Sequence, residues 1–165
     1  MVQTAVKCPP NLLGRVYICA DRYETMDIAG RLYHASLEQS AAFACVTGLV
    51  AKMESLFNSF SFPQAYFADR SFGVSHTDTA RSSSGKKEVE QRMSEEALKE
   101  AKGEKATFVV QVQFRQNATW QGTISWTEQK KTQRFRSTLE MIKLMDEALA
   151  ESTDQESTSW VSQER

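Results

Sequence analysis

Apolar and polar positions along this chain run through one order of periodicities twice, ninety-two residues apart. Val16, Ile18 and Ala20 alternate as a half-buried strand does; Gly30, Leu32 and Phe43 follow; then Leu49, Val50, Met53 and Phe57 fall on one helical stripe. The second run reads Phe108, Val110 and Val112, then Gly122, Ile124 and Phe135, then Met141, Ile142, Met145 and Leu149. Only the pairs Gly30/Gly122, Phe43/Phe135 and Met53/Met145 are identical, so the repetition is one of pattern rather than of residues. Two readings stay open: an internal duplication, or two independent meanders that each lay a helix on one face of a sheet.

The elements follow from the same pattern. Strands are expected over Arg15 to Asp21 and Ile28 to Ala35, with a fainter third around Leu37 to Phe43 and a helix over Phe43 to Ser59. In the second unit strands are expected over Thr107 to Phe114, Trp120 to Trp126 and Thr132 to Phe135. Ser137 and Glu140 have capping-box spacing, because the hydroxyl can accept an N–H of the first turn while the carboxylate reaches back; a helix over Thr138 to Ala150 is expected. Phe60, Phe62, Tyr66, Phe67 and Phe72 crowd one connection and are expected to close the core. Ser, Thr, Asp and Gly then dominate Gly73 to Lys87, a linker composition. Glu88 to Lys102 combines strong helix formers with few large apolar residues, which predicts an exposed helix that Gly103 stops. The fold class expected is α+β: two similar antiparallel β-meander plus helix units, a candidate internal duplication, joined by a linker and an extra exposed helix. The divisions are 1–73, 74–104 and 105–150, followed by a mobile acidic tail over 151–165.

Composition narrows the class without deciding it. Apolar residues at 41% and charged residues at 25% suit a globular chain. The longest apolar stretch, Ala41 to Ala51, is too short for a bilayer, and the first ten residues lack the pattern of an export signal. Three widely spaced cysteines, Cys8, Cys19 and Cys45, argue against zinc and against a disulfide framework, so a cytoplasmic location is expected. The net charge of -1 hides a segregation. Residues 105–143 carry seven Lys/Arg against Glu128 and Glu140, while residues 144–165 carry six Asp/Glu against Arg165. A basic unit followed by an acidic tail presents a polyanion-binding face, folds its tail back on itself, or merely solvates its surface.

Candidate chemistry is sparse. His34 and His76 have no acid or cysteine placed beside them by motif, and Ser82 to Lys86 lacks the glycine spacing of a phosphate loop. No enzyme, cofactor or metal site is expected, and no small-molecule substrate or membrane contact. The surface with functional content is the basic one: Arg115, Lys130, Lys131, Arg134 and Arg136 are the binding residues expected, with Trp120 and Trp126 between them. Cations hold phosphates and an exposed indole stacks on a base. Alternation, however, turns Trp120, Ile124 and Trp126 to one strand face, so the same indoles can equally serve the core.

The segments FRQNATWQG, the FRS before the last helix and the LExIKLMDxAL of that helix resemble a recurring module of small accessory proteins carried by mobile genetic elements of Gram-positive bacteria. GRLYHASLEQSAAF and FPQAYFADRSF look like a partner segment found in the same kind of protein. Some such proteins are type II-A anti-CRISPRs. The resemblance therefore implies a non-enzymatic inhibitor whose partner is the Cas9 nuclease or its guide-RNA complex, with an RNA-binding regulator of the mobile element as the alternative. It carries over no functional residue.

Overall fold

A computed structural model describes residues 5–65, 72 and 88–159. It is an α+β structure built on one six-stranded antiparallel sheet. A short helix α1 (Pro10–Leu13) leads into β1 (Arg15–Glu24), β2 (Asp27–Tyr33), β3 (Ala41–Phe43) and helix α2 (Val46–Ser59). Helix α3 (Glu95–Glu100) precedes β4 (Ala106–Phe114), β5 (Gln121–Trp126), β6 (Lys131–Phe135) and helix α4 (Thr138–Ser159). Strand order is β3-β2-β1-β4-β5-β6, so each meander runs outward from a central β1/β4 pair.

The repeat extends from pattern to register. Ala20 faces Gly30, which faces Phe43; ninety-two residues on, Val112 faces Gly122, which faces Phe135. Both first strands slip register at the same place, between Ala20 and Arg22 and between Val112 and Phe114. Such a bulge twists its strand and brings backbones close. A Cβ on Gly30 would strike the Cys19 carbonyl, and one on Gly122 the Gln111 carbonyl, so only glycine fits at either. Both hairpins turn through a left-handed residue at matching positions, Met26 and Ala118. At the centre, Val16 faces Val110 and Ile18 faces Phe108, pairs that exchange under the same shift, while Tyr17 faces Val109, its own counterpart. A local two-fold axis passes through that last pair.

Alternation places Val16, Ile18, Leu32, Phe108, Val110 and Ile124 on one face, fully buried beneath the two long helices. Leu49, Met53 and Phe57 of α2 and Met141, Met145 and Leu149 of α4 meet them there. Phe43 and Phe135, at 5% and 2% exposure, each close the seam where the edge strand hands over to its helix. Each helix also grips the opposite hairpin. Glu54 of α2 accepts from Arg115 Nη1 at 3.1 Å and Trp120 Nε1 at 2.8 Å. Its counterpart Asp146 of α4 accepts from the Tyr23 hydroxyl at 2.6 Å and the Met26 N–H at 2.9 Å. The units are thus interlocked across one sheet.

The other face is covered unequally. Cys8, Leu12, Tyr17, Ala35, Met93 and Leu98 form a second cluster over its first half. The stretch before α3 is extended rather than helical: Cys8 donates to the Val89 carbonyl, Gln91 to Val6, and Arg92 and Met93 to Ala35. These backbone bonds and the burial of Met93 outweigh local propensity, leaving a helix only over Glu95–Glu100, capped by the Ser94 hydroxyl. Gly103 does not stop it; Ala101 is the cap, and Gly103 instead admits the backbone of Ala20 at a distance a side chain would forbid. Helix α4 likewise passes the expected end at Ala150 and runs to Ser159, with the Ser152 and Thr153 hydroxyls bonded back to Ala148 and Leu149. Of the crowded aromatics, Phe60 is buried, Phe62 packs half-buried and Phe72 is exposed. Tyr66, Phe67, His76, the Gly73 to Lys87 stretch and the last six residues lie outside the described residues.

Candidate functional site

The five basic residues expected to act together occupy different environments. Arg115 is not on a basic surface. It is 1% exposed, gives Nε to the Pro63 carbonyl at 2.6 Å and Nη1 to Asn58 Oδ1 at 2.7 Å and Glu54 at 3.1 Å, and lies 5.7 Å from the Phe57 ring centroid. A guanidinium with every neighbour supplied by the protein is a clamp between α2 and β4; sequence shows the charge but not the acceptors that bury it. Trp120 and Trp126, at 3% and 7% exposure, are core residues, as strand alternation allows.

The remaining four follow the outer edge of the sheet. Four of the five residues of β6 are exposed. Lys130 holds a left-handed turn position before the strand, and Arg136 follows its end, so the cations extend over about 20 Å at roughly 3.3 Å per residue. They alternate in direction: Lys131 pairs across from Trp126 on the helix side, whereas Arg134 pairs across from Thr123 on the other. Two are partnered. Lys131 Nζ is 3.5 Å from Glu151 of α4, and Arg136 forms an exposed pair with Glu140 at 3.0 Å. Glu140 sits in the capping box expected: its N–H donates to the Ser137 hydroxyl oxygen, while its carboxylate reaches back to accept from the Arg136 N–H at 2.6 Å. That geometry holds the Glu140 carboxyl below the usual range and the Arg136 guanidinium above its own. The result is a basic edge rather than a basic face. Arg134 continues a cross-strand row with Thr123, Gln111 and Arg15, in which Arg15 Nε bonds Gln111 Oε1 at 2.9 Å.

Beneath that edge lies a cleft of about 340 Å³ between β6 and α4. Its floor is apolar, formed by Phe108, Ile124, Trp126, Leu144 and Ala148; Lys131, Gln133, Glu147 and Glu151 line its rim. The Lys131 ammonium stands 5.5 Å from the Trp126 ring centroid, a cation over an indole face. The Trp126 Nε1–H is buried and has no hydrogen-bond partner. Of the five predicted cations only Lys131 reaches this cleft. The signal that could have located it is in the repeat itself, which sets Trp126 against His34.

His34 is fully buried, with Nδ1 2.7 Å from the Ser36 hydroxyl and Nε2 3.0 Å from the Leu13 carbonyl; burial lowers its pKa and favours the neutral ring. Cys19 is also enclosed, and burial pushes its thiol up to about 11, away from nucleophilic reactivity. All three cysteines are free. Among the described residues no group of three His, Cys, Asp or Glu is placed to hold a metal, and no helix is long and apolar enough to cross a membrane. No family model, no curated protein and no solved structure matches this chain.

Proposed function

We propose that the protein is a non-catalytic binding protein that engages Cas9 or its guide-RNA complex through the basic edge of its sheet. The observation that carries the binding surface is β6: an outer strand, exposed at four of five positions, that carries Lys131 and Arg134 and is flanked by Lys130 and Arg136, along about 20 Å. Cations on both sides of an extended edge suit a polyanion lying lengthwise, because each neutralised phosphate releases counterions. The resemblance of the FRQNATWQG to LExIKLMDxAL region to mobile-element accessory proteins supports Cas9 as the target, since β4 to α4 is that region. Arg115 has no part in the contact.

The test is guided DNA cleavage by type II-A Cas9 with the protein added before or after guide loading. Inhibition confined to addition before loading assigns the block to assembly. The variant K130A/K131A/R134A/R136A should lose inhibition and retardation of guide-like RNA while unfolding close to the parent, because exposed charges contribute little to stability. RNA retardation without Cas9 inhibition would favour the element's RNA-binding regulator. Absence of both in the parent protein at low salt would refute the basic edge as the functional surface.

A further inference from the structure

The basic edge continues onto one face of the sheet. Arg134 heads a row that crosses β6, β5, β4 and β1 on the side away from the long helices: Arg134, Thr123, Gln111 and Arg15 face one another strand by strand. In the next row Ser125 and Thr132 pair their hydroxyls at 2.8 Å. Thr132 and Arg134 are exposed, and Arg15, Gln111, Thr123 and Ser125 are half-buried, so these side chains form a surface. With neighbouring strands about 4.8 Å apart, the backbones of the two arginines stand roughly 14 Å from each other.

The first unit is the control. The repeat sets Thr107, Cys19, Arg31 and Ala42 in the equivalent row, and these four also face one another. There the guanidinium is engaged: Arg31 gives Nε and Nη2 to Asp21 at 2.8 and 3.0 Å, and Nη2 also to the Lys102 carbonyl at 2.7 Å. The second unit's row carries two guanidiniums and no counterion. Strands β4, β5 and β6 contain no Asp or Glu, and Glu128, in the turn after β5, is directed to the Thr107 N–H at 3.0 Å. Arg15 is fixed by its Nε on Gln111, and neither its terminal nitrogens nor Arg134 has a partner among the described residues. Lys131, on the helix side, is paired with Glu151, and Arg136 with Glu140. The unpaired charge of the edge therefore belongs to the outer face.

Two guanidiniums roughly 14 Å apart, with uncharged hydrogen-bonding groups between them, match two phosphate backbones on either side of a groove. The positions between them hold amides and hydroxyls rather than the exposed rings on which the bases of a single strand stack. A wide, shallow groove lined with hydroxyls is the minor groove of base-paired RNA. We propose that the outer face of β4, β5 and β6 binds base-paired RNA across its minor groove, with Arg134 and Lys130 on one backbone, Arg15 on the other, and Gln111, Thr123, Ser125 and Thr132 toward the 2′-hydroxyls between them. The assignment rests on the reading of the edge as a polyanion site; it names the ligand and brings in Arg15, from the first unit, as the far wall.

The probe is a fluorescent RNA duplex of about 16 base pairs, long enough to present successive minor grooves. It is titrated with the full chain by anisotropy at about 50 to 200 mM salt, beside the DNA duplex of the same sequence and the single RNA strand. The RNA duplex should bind at least about tenfold more tightly than either. R15A and R134A should each weaken it at least about fivefold and lower the salt slope by about 1, whereas K131A/R136A should stay within about twofold of the parent. R15K, which keeps the charge and guards against a folding defect in R15A, should regain most of the loss, and T123V should narrow the preference for RNA over DNA. R15A that binds the RNA duplex like the parent, while R134A does not, overturns this site and leaves the edge reading standing. Equal or tighter binding of the single strand, or of the DNA duplex, overturns the minor-groove assignment. If the parent binds none of the three but loses Cas9 inhibition when the four edge cations are removed, the site is refuted and the edge is a protein contact; if the parent also fails to inhibit Cas9, both readings fall.

Discussion

Single side chains decide what this fold tolerates. Gly122 and Gly30 each lie where a methyl group would meet a carbonyl oxygen of the neighbouring strand. Backbone cannot yield as a side chain can, so Gly122→Ala should cost at least about 3 kcal/mol, the upper end for overpacking, measured by urea unfolding. Phe135→Ala, by contrast, removes a fully packed ring and should cost about 3 to 5 kcal/mol. His34 bounds the acid side of the pH range, and Cys19, with Cys8 and Tyr23 also raised, the alkaline side. His34 is buried neutral with its pKa lowered from the ordinary 6.5, so the unfolded chain binds the extra proton and stability must fall as pH drops through about 6.5, being fully present above it. Cys19 is raised from 9.0 to about 11, so the unfolded thiol ionises first and stability declines as pH rises above 9. Urea midpoints between pH 5 and 10.5 should therefore form a plateau from about 6.5 to 9, and H34Q should flatten its acid side.

Elements were legible where one face of periodicity settled the matter. The alternation of β1 and β4, the stripes of α2 and α4 and the Ser137 cap all follow from local chemistry, and the structure has each of them. Of the helix expected over Glu88 to Lys102 only Glu95–Glu100 forms; the part before it was not legible, because the bonds holding Val89 and Gln91 extended come from Cys8 and Val6, more than eighty residues away. Arg115 failed for the same reason. Its acceptors are supplied by α2 and Pro63, and nothing near Arg115 in sequence announces them. The edge cations were legible as charges but not as an edge, since a strand's rank in a sheet is a tertiary fact. Glu54 joins the elements that sequence left separate. Glu54→Gln keeps its shape but leaves the Arg115 charge short of a counterion; because Glu54 is one-third exposed, we expect a loss of about 2 to 3 kcal/mol, below that of a fully buried pair. A double-mutant cycle with Trp120→Phe should show coupling, as both donors share that carboxylate.

At the scale of the whole molecule, the strongest coupling runs through β1 and β4, where Val16, Ile18, Phe108 and Val110 are all fully buried between the units. Cutting the chain after residue 80 should give two fragments that are not folded monomers by sedimentation and circular dichroism, and that recover a cooperative transition when mixed in equal amounts. A first fragment that unfolds cooperatively as a monomer would contradict the interlocked sheet. The pair at the axis explains why one chain can do what two identical chains could not. In a symmetric homodimer every residue on the dyad confronts itself, ring against ring or methyl against methyl. Here a phenol, Tyr17, lies opposite a valine, Val109; the cluster of Leu12, Met93 and Leu98 takes the phenol into its buried core and only touches the half-buried valine at its margin. Because both halves belong to one chain, nothing obliges them to be equal: the first is covered by that cluster on its outer face, while the second ends on a strand exposed at four of its five positions.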